Sequence, residues 1–149
     1  MQKLMKKKLM ERNGKKGFTL AELLIVVAII GVLVAISVPI FTGQLEKSRD
    51  AVTIANLRSA YSEAASVYLL GDAYGNTGVT ISNDKKTVTI AGVDIKCTDG
   101  KCDVSTLPFK VNDGDGTLGE KSKNLKNASV AFTWADDGSA SAVISGESA

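Results

Sequence analysis

Hydrophobic and polar positions divide the chain into stretches of unlike period. From Leu23 to Leu45 no residue carries a charge, and the run from Leu23 through Ile36 is apolar throughout, with Gly31 as its one residue without a side chain. About 20 apolar residues at 1.5 Å rise cross a bilayer core of roughly 30 Å, so this stretch predicts a membrane-spanning helix. A fully buried soluble helix is the competing reading, but a chain of 149 residues has too small a core to surround one. Beyond it, Ile54, Leu57, Tyr61, Ala64 and Tyr68 recur at spacings of 3 and 4, with Lys47, Arg49, Asp50, Arg58 and Glu63 at polar positions. That spacing marks one face of an amphipathic helix, and Gly71 supplies its stop. The two patterns join into one helix over 18–70, apolar in its half 18–45 and amphipathic in its half 46–70. Such a helix would run ~80 Å. Its first half must be buried in lipid or in copies of itself, and its second half against the rest of the chain.

Residues 71–149 change to a period of two. Val79-Thr80-Ile81 and Thr87-Val88-Thr89-Ile90 flank Asn83-Asp84, and Val93-Asp94-Ile95 adds a short alternation. Ser129–Trp134 and Ala140–Ile144 flank Asp136-Asp137-Gly138, which reads as a second hairpin. The fold class is therefore α+β: a long helix packed on a small antiparallel head of about four strands, with Phe132 and Trp134 among the core residues. Residues 106–127, rich in Gly, Asn, Asp and Lys, read as a long surface loop. So small a head has a small core, and its docking on the helix stripe matters to its stability.

Charge changes the picture at one end only. Residues 1–17 carry seven basic groups against one acid, while the remaining chain carries 11 basic and 15 acidic groups. The overall net of +2 thus belongs to a short leader, and no nucleic-acid site follows from it. Basic residues on the N-terminal side of an apolar span keep that side in the cytoplasm. An ordinary secretory signal does not fit, because the apolar run continues into Pro39, Phe41 and the amphipathic helix instead of ending at a small-residue cleavage site.

Composition excludes much chemistry. With no histidine, Ser-His-Asp and Cys-His catalysis and every His-containing zinc site are absent, and two cysteines cannot make an all-cysteine zinc site. Ser82–Lys85 matches an S-x-x-K spacing but sits in a turn segment without supporting motifs. No catalytic residue, cofactor site or metal site is assigned, and the chain is not expected to be an enzyme. Asn112-Asp113-Gly114-Asp115-Gly116 is dense in oxygen ligands but lacks the order of a calcium loop, so it reads as a polar turn. The sequon Asn127-Ala128-Ser129 is taken as incidental. Cys97 and Cys102 enclose four residues with Asp99-Gly100 at the turn, which outside the cytoplasm predicts a local disulfide.

Lys15-Lys16-Gly17-Phe18-Thr19-Leu20-Ala21-Glu22-Leu23-Leu24, placed between a basic leader and an unbroken apolar run, closely resembles the N-terminus of type IV prepilins. The resemblance covers about residues 14–50. It implies that a prepilin peptidase removes residues 1–17 between Gly17 and Phe18, and that Phe18 becomes an N-methylated terminus. It also implies a single-pass protein of the cytoplasmic membrane that polymerises with copies of itself into an extracellular pilus. The membrane partners implied are an assembly platform and its ATPase. A carboxylate at the edge of a transmembrane segment costs about 3 kcal/mol on insertion scales, which makes Glu22 the strongest single candidate. Residues 18 and 22 lie one helical turn apart, so Glu22 can pair within its own chain; the resemblance implies that in the filament it meets the Phe18 amine of a neighbour. Pro39 removes one helical hydrogen bond and clashes with the carbonyl of Ala35. With Gly31 it marks either a tolerated kink or, as the resemblance implies, a segment that melts on assembly. Three rivals remain: a pseudopilin of a type II secretion or DNA-uptake machine, a pilus-borne adhesin, and a plain single-pass membrane protein, for which the Gly17-Phe18 site has no use.

Overall fold

The computed structural model of the chain describes residues 17–98, 102–111, 118 and 124–146. Most of the leader, the turn inside the cysteine pair and the 112–116 stretch lie outside them. The chain divides into two compact units, Met1–Thr42 and Gly43–Ala149.

The first unit holds the start of helix α1 (Leu20–Leu70). Every residue of α1 as far as Leu45 is exposed. An 18-residue window in this helix reaches a mean hydropathy of 3.1, and none of it is buried. Length and apolarity are those of a membrane span. Pro39 sits inside the helix, where the amide that would bond to the Ala35 carbonyl is missing. The Ser37 hydroxyl donates to the Leu33 carbonyl at 2.6 Å and Thr42 to that of Pro39 at 3.0 Å.

In the second unit α1 packs on a sheet of five strands in the order β1-β2-β4-β5-β3. These are β1 (Val79–Ile81), β2 (Thr87–Ile95), β3 (Lys110–Val111), β4 (Leu125–Trp134) and β5 (Ala140–Ser145). Alternate residues face inward, as the period of a strand requires: Val88, Ile90, Val93 and Ile95 from β2, and Val130, Phe132 and Trp134 from β4 are buried. They form one cluster with Leu57, Ala60, Ala64 and Val67 of α1. The rings of Tyr61 and Tyr68 extend it: Tyr68 stacks on Trp134 at 4.4 Å between centroids, and Tyr61 on Phe109 at 5.0 Å. Gly71 ends the helix in the left-handed region, φ 72°, with its amide bonded to the Val67 carbonyl at 2.8 Å, the cap geometry that glycine serves best.

Both predicted hairpins form: β1 with β2 and β4 with β5 are antiparallel. Four details differ from the sequence reading. The buried line on α1 is Thr53, Leu57, Ala60, Ala64 and Val67, so Ile54, Tyr61 and Tyr68 flank the stripe instead of forming it. Val93-Asp94-Ile95 is the continuation of β2, past a register shift between Ile90 and Val93 where Gly92 takes φ 82°, the signature of a bulge. Strand β4 begins at Leu125, not Ser129, and takes in the sequon. The expected surface loop contains β3, which pairs in parallel with β5, and it buries Leu107, Phe109, Val111 and Leu118. Apolar residues spaced singly through a polar stretch reach the core even though the stretch shows no period.

Candidate assembly site and the cysteine loop

The helix starts one residue after Thr19. The first intrahelical bond runs from the Leu23 amide to the Thr19 carbonyl, 3.2 Å, which makes Thr19 the N-cap. Its hydroxyl accepts from the Glu22 amide at 3.2 Å, and its own amide donates to Glu22 Oε2 at 2.7 Å. This is a complete capping box, T-x-x-E, in which two amides at the helix start find partners reciprocally. Gly17 and Phe18 precede the helix, so residues 18 and 22 are not stacked one turn apart as their spacing predicts. The Glu22 carboxylate is instead held by the amide next to Phe18. Gly31 is helical, and a methyl group added there would meet nothing within 4 Å. Phe18, Glu22, Gly31 and Pro39 all lie in the exposed unit.

The cysteine loop is built on the other side of Thr42. Cys97 and Cys102 are both buried and unbridged, and Asp50 of α1 joins them, one donor atom from each lying within 4.8 Å of the others. The Cys102 thiol donates to the Cys97 sulfur, which holds Cys97 below the ordinary thiol range. The same bond, with burial and the Asp50 carboxylate, pushes Cys102 up. Three donors fall short of a four-coordinate zinc site, and among the described residues no other Cys, Asp or Glu joins the group.

A row of polar groups on α1 holds residues 96–98, which lead into this loop. Thr53 is fully buried; its hydroxyl accepts from the amides of Lys96, 2.9 Å, and Cys97, 3.2 Å, and donates to the Arg49 carbonyl, 3.0 Å. Glu46 accepts from the Thr98 amide and hydroxyl, both at 2.8 Å, and pairs with Arg49 at 3.4 Å. Nearby, Asn56 donates to the Asp94 carbonyl at 2.8 Å. An apolar period does not mark these anchors, because they are polar and their partners lie some forty to fifty residues away in the chain. Glu46, Asp50, Thr53 and Leu57 nevertheless continue the helical spacing of the buried face, which was the available signal.

The other candidates carry no chemistry. The Ser82 hydroxyl of the S-x-x-K match bonds to Asp84 and accepts from the Thr87 amide at 3.1 Å, so it serves the β1–β2 turn. A cavity of about 830 Å³ lies beside β3 and the β4–β5 turn, and among the described residues that line it Lys110 is the one titratable group.

Comparison with known proteins places this geometry. Residues 12–38 match the family model described as the prokaryotic N-terminal methylation motif. The chain is 33% identical over 122 residues to the type IV major fimbrial protein FimA of Dichelobacter nodosus, covering 76% of each chain. It is 34% identical over 89 residues to the type IV major pilin protein PilA of Myxococcus xanthus, covering 60% of this chain and 40% of that protein. To the type IV narrow pilus major component PilA5 of Thermus thermophilus it is 54% identical over 52 residues, 33% of this chain and 45% of that one. The matched region thus spans less than half the length of the last two. No solved structure gives a significant match. These relatives are structural subunits and not enzymes. An exposed apolar helix that begins at a methylation motif and continues into a small sheet head, together with these matches, assigns the chain to the type IV pilin family.

Proposed function

We propose that this chain is a structural subunit of a type IV pilus. The observation that carries the reading is the exposed apolar half of α1, with a single carboxylate at its N-terminal end. Lipid covers such a surface before assembly, and copies of the same helix cover it afterwards. Prepilin peptidase removes the leader after Gly17, and Phe18 is N-methylated and keeps its positive charge. The basic leader holds the N-terminus in the cytoplasm, so the head lies outside. There the Cys97–Cys102 dithiol is exposed to oxidants and closes to a disulfide. In the filament, Glu22 pairs with the Phe18 amine of a neighbouring subunit. An unpaired charge in an apolar core is strongly unfavourable, so this pair sets the axial register. The platform and ATPase that drive assembly are membrane partners of the same step. The relatives named above are pilus and fimbrial components, which favours a pilus over a pseudopilin.

The test is made on sheared surface filaments. Mass spectrometry of the assembled subunit is expected to give an N-terminus at methylated Phe18 and a bridged Cys97–Cys102 peptide. Glu22→Ala is expected to leave the subunit in the membrane and remove the filaments. Assembled material beginning at Met1, or abundant filaments from Glu22→Ala alone, would overturn the processing and the pairing respectively. Free thiols at both cysteines of the native surface protein would overturn the external placement of the bridge.

A further inference from the structure

We propose that Asp50 sets how readily the Cys97–Cys102 bridge opens, because its carboxylate favours the reduced pair over the disulfide. The inference rests on the bridge proposed above and adds to it the group that governs its equilibrium. Asp50 is a half-buried residue of α1, and one of its carboxylate oxygens and the two sulfurs lie within 4.8 Å of one another. Both cysteines are fully buried. A carboxylate drawn out of water against two sulfurs gains from every donor it finds there. Each thiol carries a hydrogen to donate, and a disulfide carries none. The Cys102 thiol has two acceptors in reach, the Cys97 sulfur and the Asp50 carboxylate. Its bond to Cys97, burial and the Asp50 carboxylate push it up, so it keeps its hydrogen at neutral pH and remains a donor. Closing the bridge takes that donor away from Asp50.

Opening needs a dithiol from outside. Its two sulfurs give up two electrons and two protons and join as a disulfide, while the Cys97–Cys102 bond breaks and both sulfurs take up hydrogen. Closing is the reverse exchange, with an external disulfide as the oxidant. The bridged loop encloses only four residues, so chain entropy favours closure modestly, and one hydrogen bond to a charged acceptor opposes it on a similar scale. The sulfurs also keep their place without the bridge. Thr53 accepts from the Lys96 and Cys97 amides, and Glu46 from the Thr98 amide. The Leu118 amide donates to the Cys102 carbonyl at 3.2 Å, and the Asn124 amide to that of Cys97 at 2.8 Å. Reduction therefore leaves both thiols beside Asp50, and the bridge follows the dithiol–disulfide balance around the head instead of locking it.

The experiment equilibrates the full-length chain in detergent with mixtures of reduced and oxidised dithiothreitol at neutral pH. A chelator keeps metal off the same three donors. Each mixture is approached from the bridged and from the reduced side, quenched in acid, alkylated, and read as the mass of the peptide that holds both cysteines. Asp50→Ala is expected to need about a tenfold higher ratio of reduced to oxidised dithiothreitol for half-opening, the factor one such hydrogen bond represents. For a two-electron couple that is about 30 mV. Asp50→Asn keeps the shape and a neutral acceptor, and is expected to shift the same way by less. Thr53→Val removes the acceptor of two loop amides and leaves the carboxylate, so it is expected to weaken the head with the ratio unchanged. Unfolding followed by Trp134 fluorescence reads the same preference: Asp50→Ala is expected to destabilise the reduced chain more than the bridged one. A ratio unchanged or lowered in Asp50→Ala would overturn the role of Asp50 and leave the bridge standing. An equal shift in Thr53→Val would assign the effect to the support of the loop and overturn the proposal. A wild-type chain that forms no bridge at any ratio would overturn the bridge itself and this inference with it.

Discussion

Up to Thr42 the chain and from Gly43 onward obey opposite rules. In the first unit every described side chain is exposed and almost all are apolar; in the second, apolar residues face one cluster and polar ones mostly face out. One helix, α1, runs through both. The contrast shows that a single element can be stabilised in two ways along its length. The first half depends on what surrounds the molecule, and the second on contacts that the chain makes with itself.

The largest test of that contrast truncates one residue in each region. Phe132→Ala empties a fully buried site and is expected to destabilise the head by about 3–5 kcal/mol. Leu33→Ala, in the exposed half, is expected to change head stability by less than about 0.5 kcal/mol. Trp134 is the one tryptophan and stacks in the core, so its fluorescence during denaturation of the detergent-solubilised chain reads the head alone. Equal losses from the two variants would break the comparison.

The next effect sharpens it by removing a polar anchor and no apolar contact. Thr53→Val keeps the shape and leaves the Lys96 and Cys97 amides without their acceptor, at an expected loss of about 1–3 kcal/mol in the same measurement. Closing the cysteine bridge gives a smaller gain. The loop is short, so chain-entropy arguments limit its contribution to about 2 kcal/mol. Cys97→Ser is expected to lower the oxidised head's stability by no more than this, without affecting membrane insertion.

The smallest effect is a pH dependence. The Asn127 amide, 3.1 Å from Asp94 Oδ1, and then the Lys96 ammonium hold Asp94 below the ordinary carboxylate range. A depressed folded value means stability that is present above the unfolded carboxylate's titration and is lost as pH falls through the folded one. Acid is therefore expected to loosen the start of β4, read as faster hydrogen exchange at Asn127. Asp94→Asn is expected to remove that pH dependence.

What could be read from the sequence follows the same division. The apolar half of α1 and the methylation motif over residues 12–38 are carried by residues adjacent in the chain, and a local pattern displays them. Both hairpins were legible too, since their turn residues stand next to their strands. Strand β3 was not, because Lys110 and Val111 become a strand only by pairing with β5, some thirty residues on, and two residues show no period. Thr53 and Glu46 escaped for another reason: their partners are backbone groups of the distant cysteine loop, and a polar residue on a helix reads as a solvated one. The capping box T-x-x-E stands in the sequence as Thr19 and Glu22, but beside an apolar run a carboxylate reads first as a charge and only second as an acceptor for a helix-start amide.

The sheet ends in strands of three residues on one side and two on the other. A strand at the margin of a sheet offers its unpaired amides and carbonyls to any extended chain that meets it. A pilus subunit is held at high local density beside copies of itself, the condition under which such offers are taken up. With margins this short, few rungs are open for a second copy to continue the ladder. In the proposed pilus, polymerisation is thereby left to the helices, and the heads are kept from zipping together into fibres of another kind.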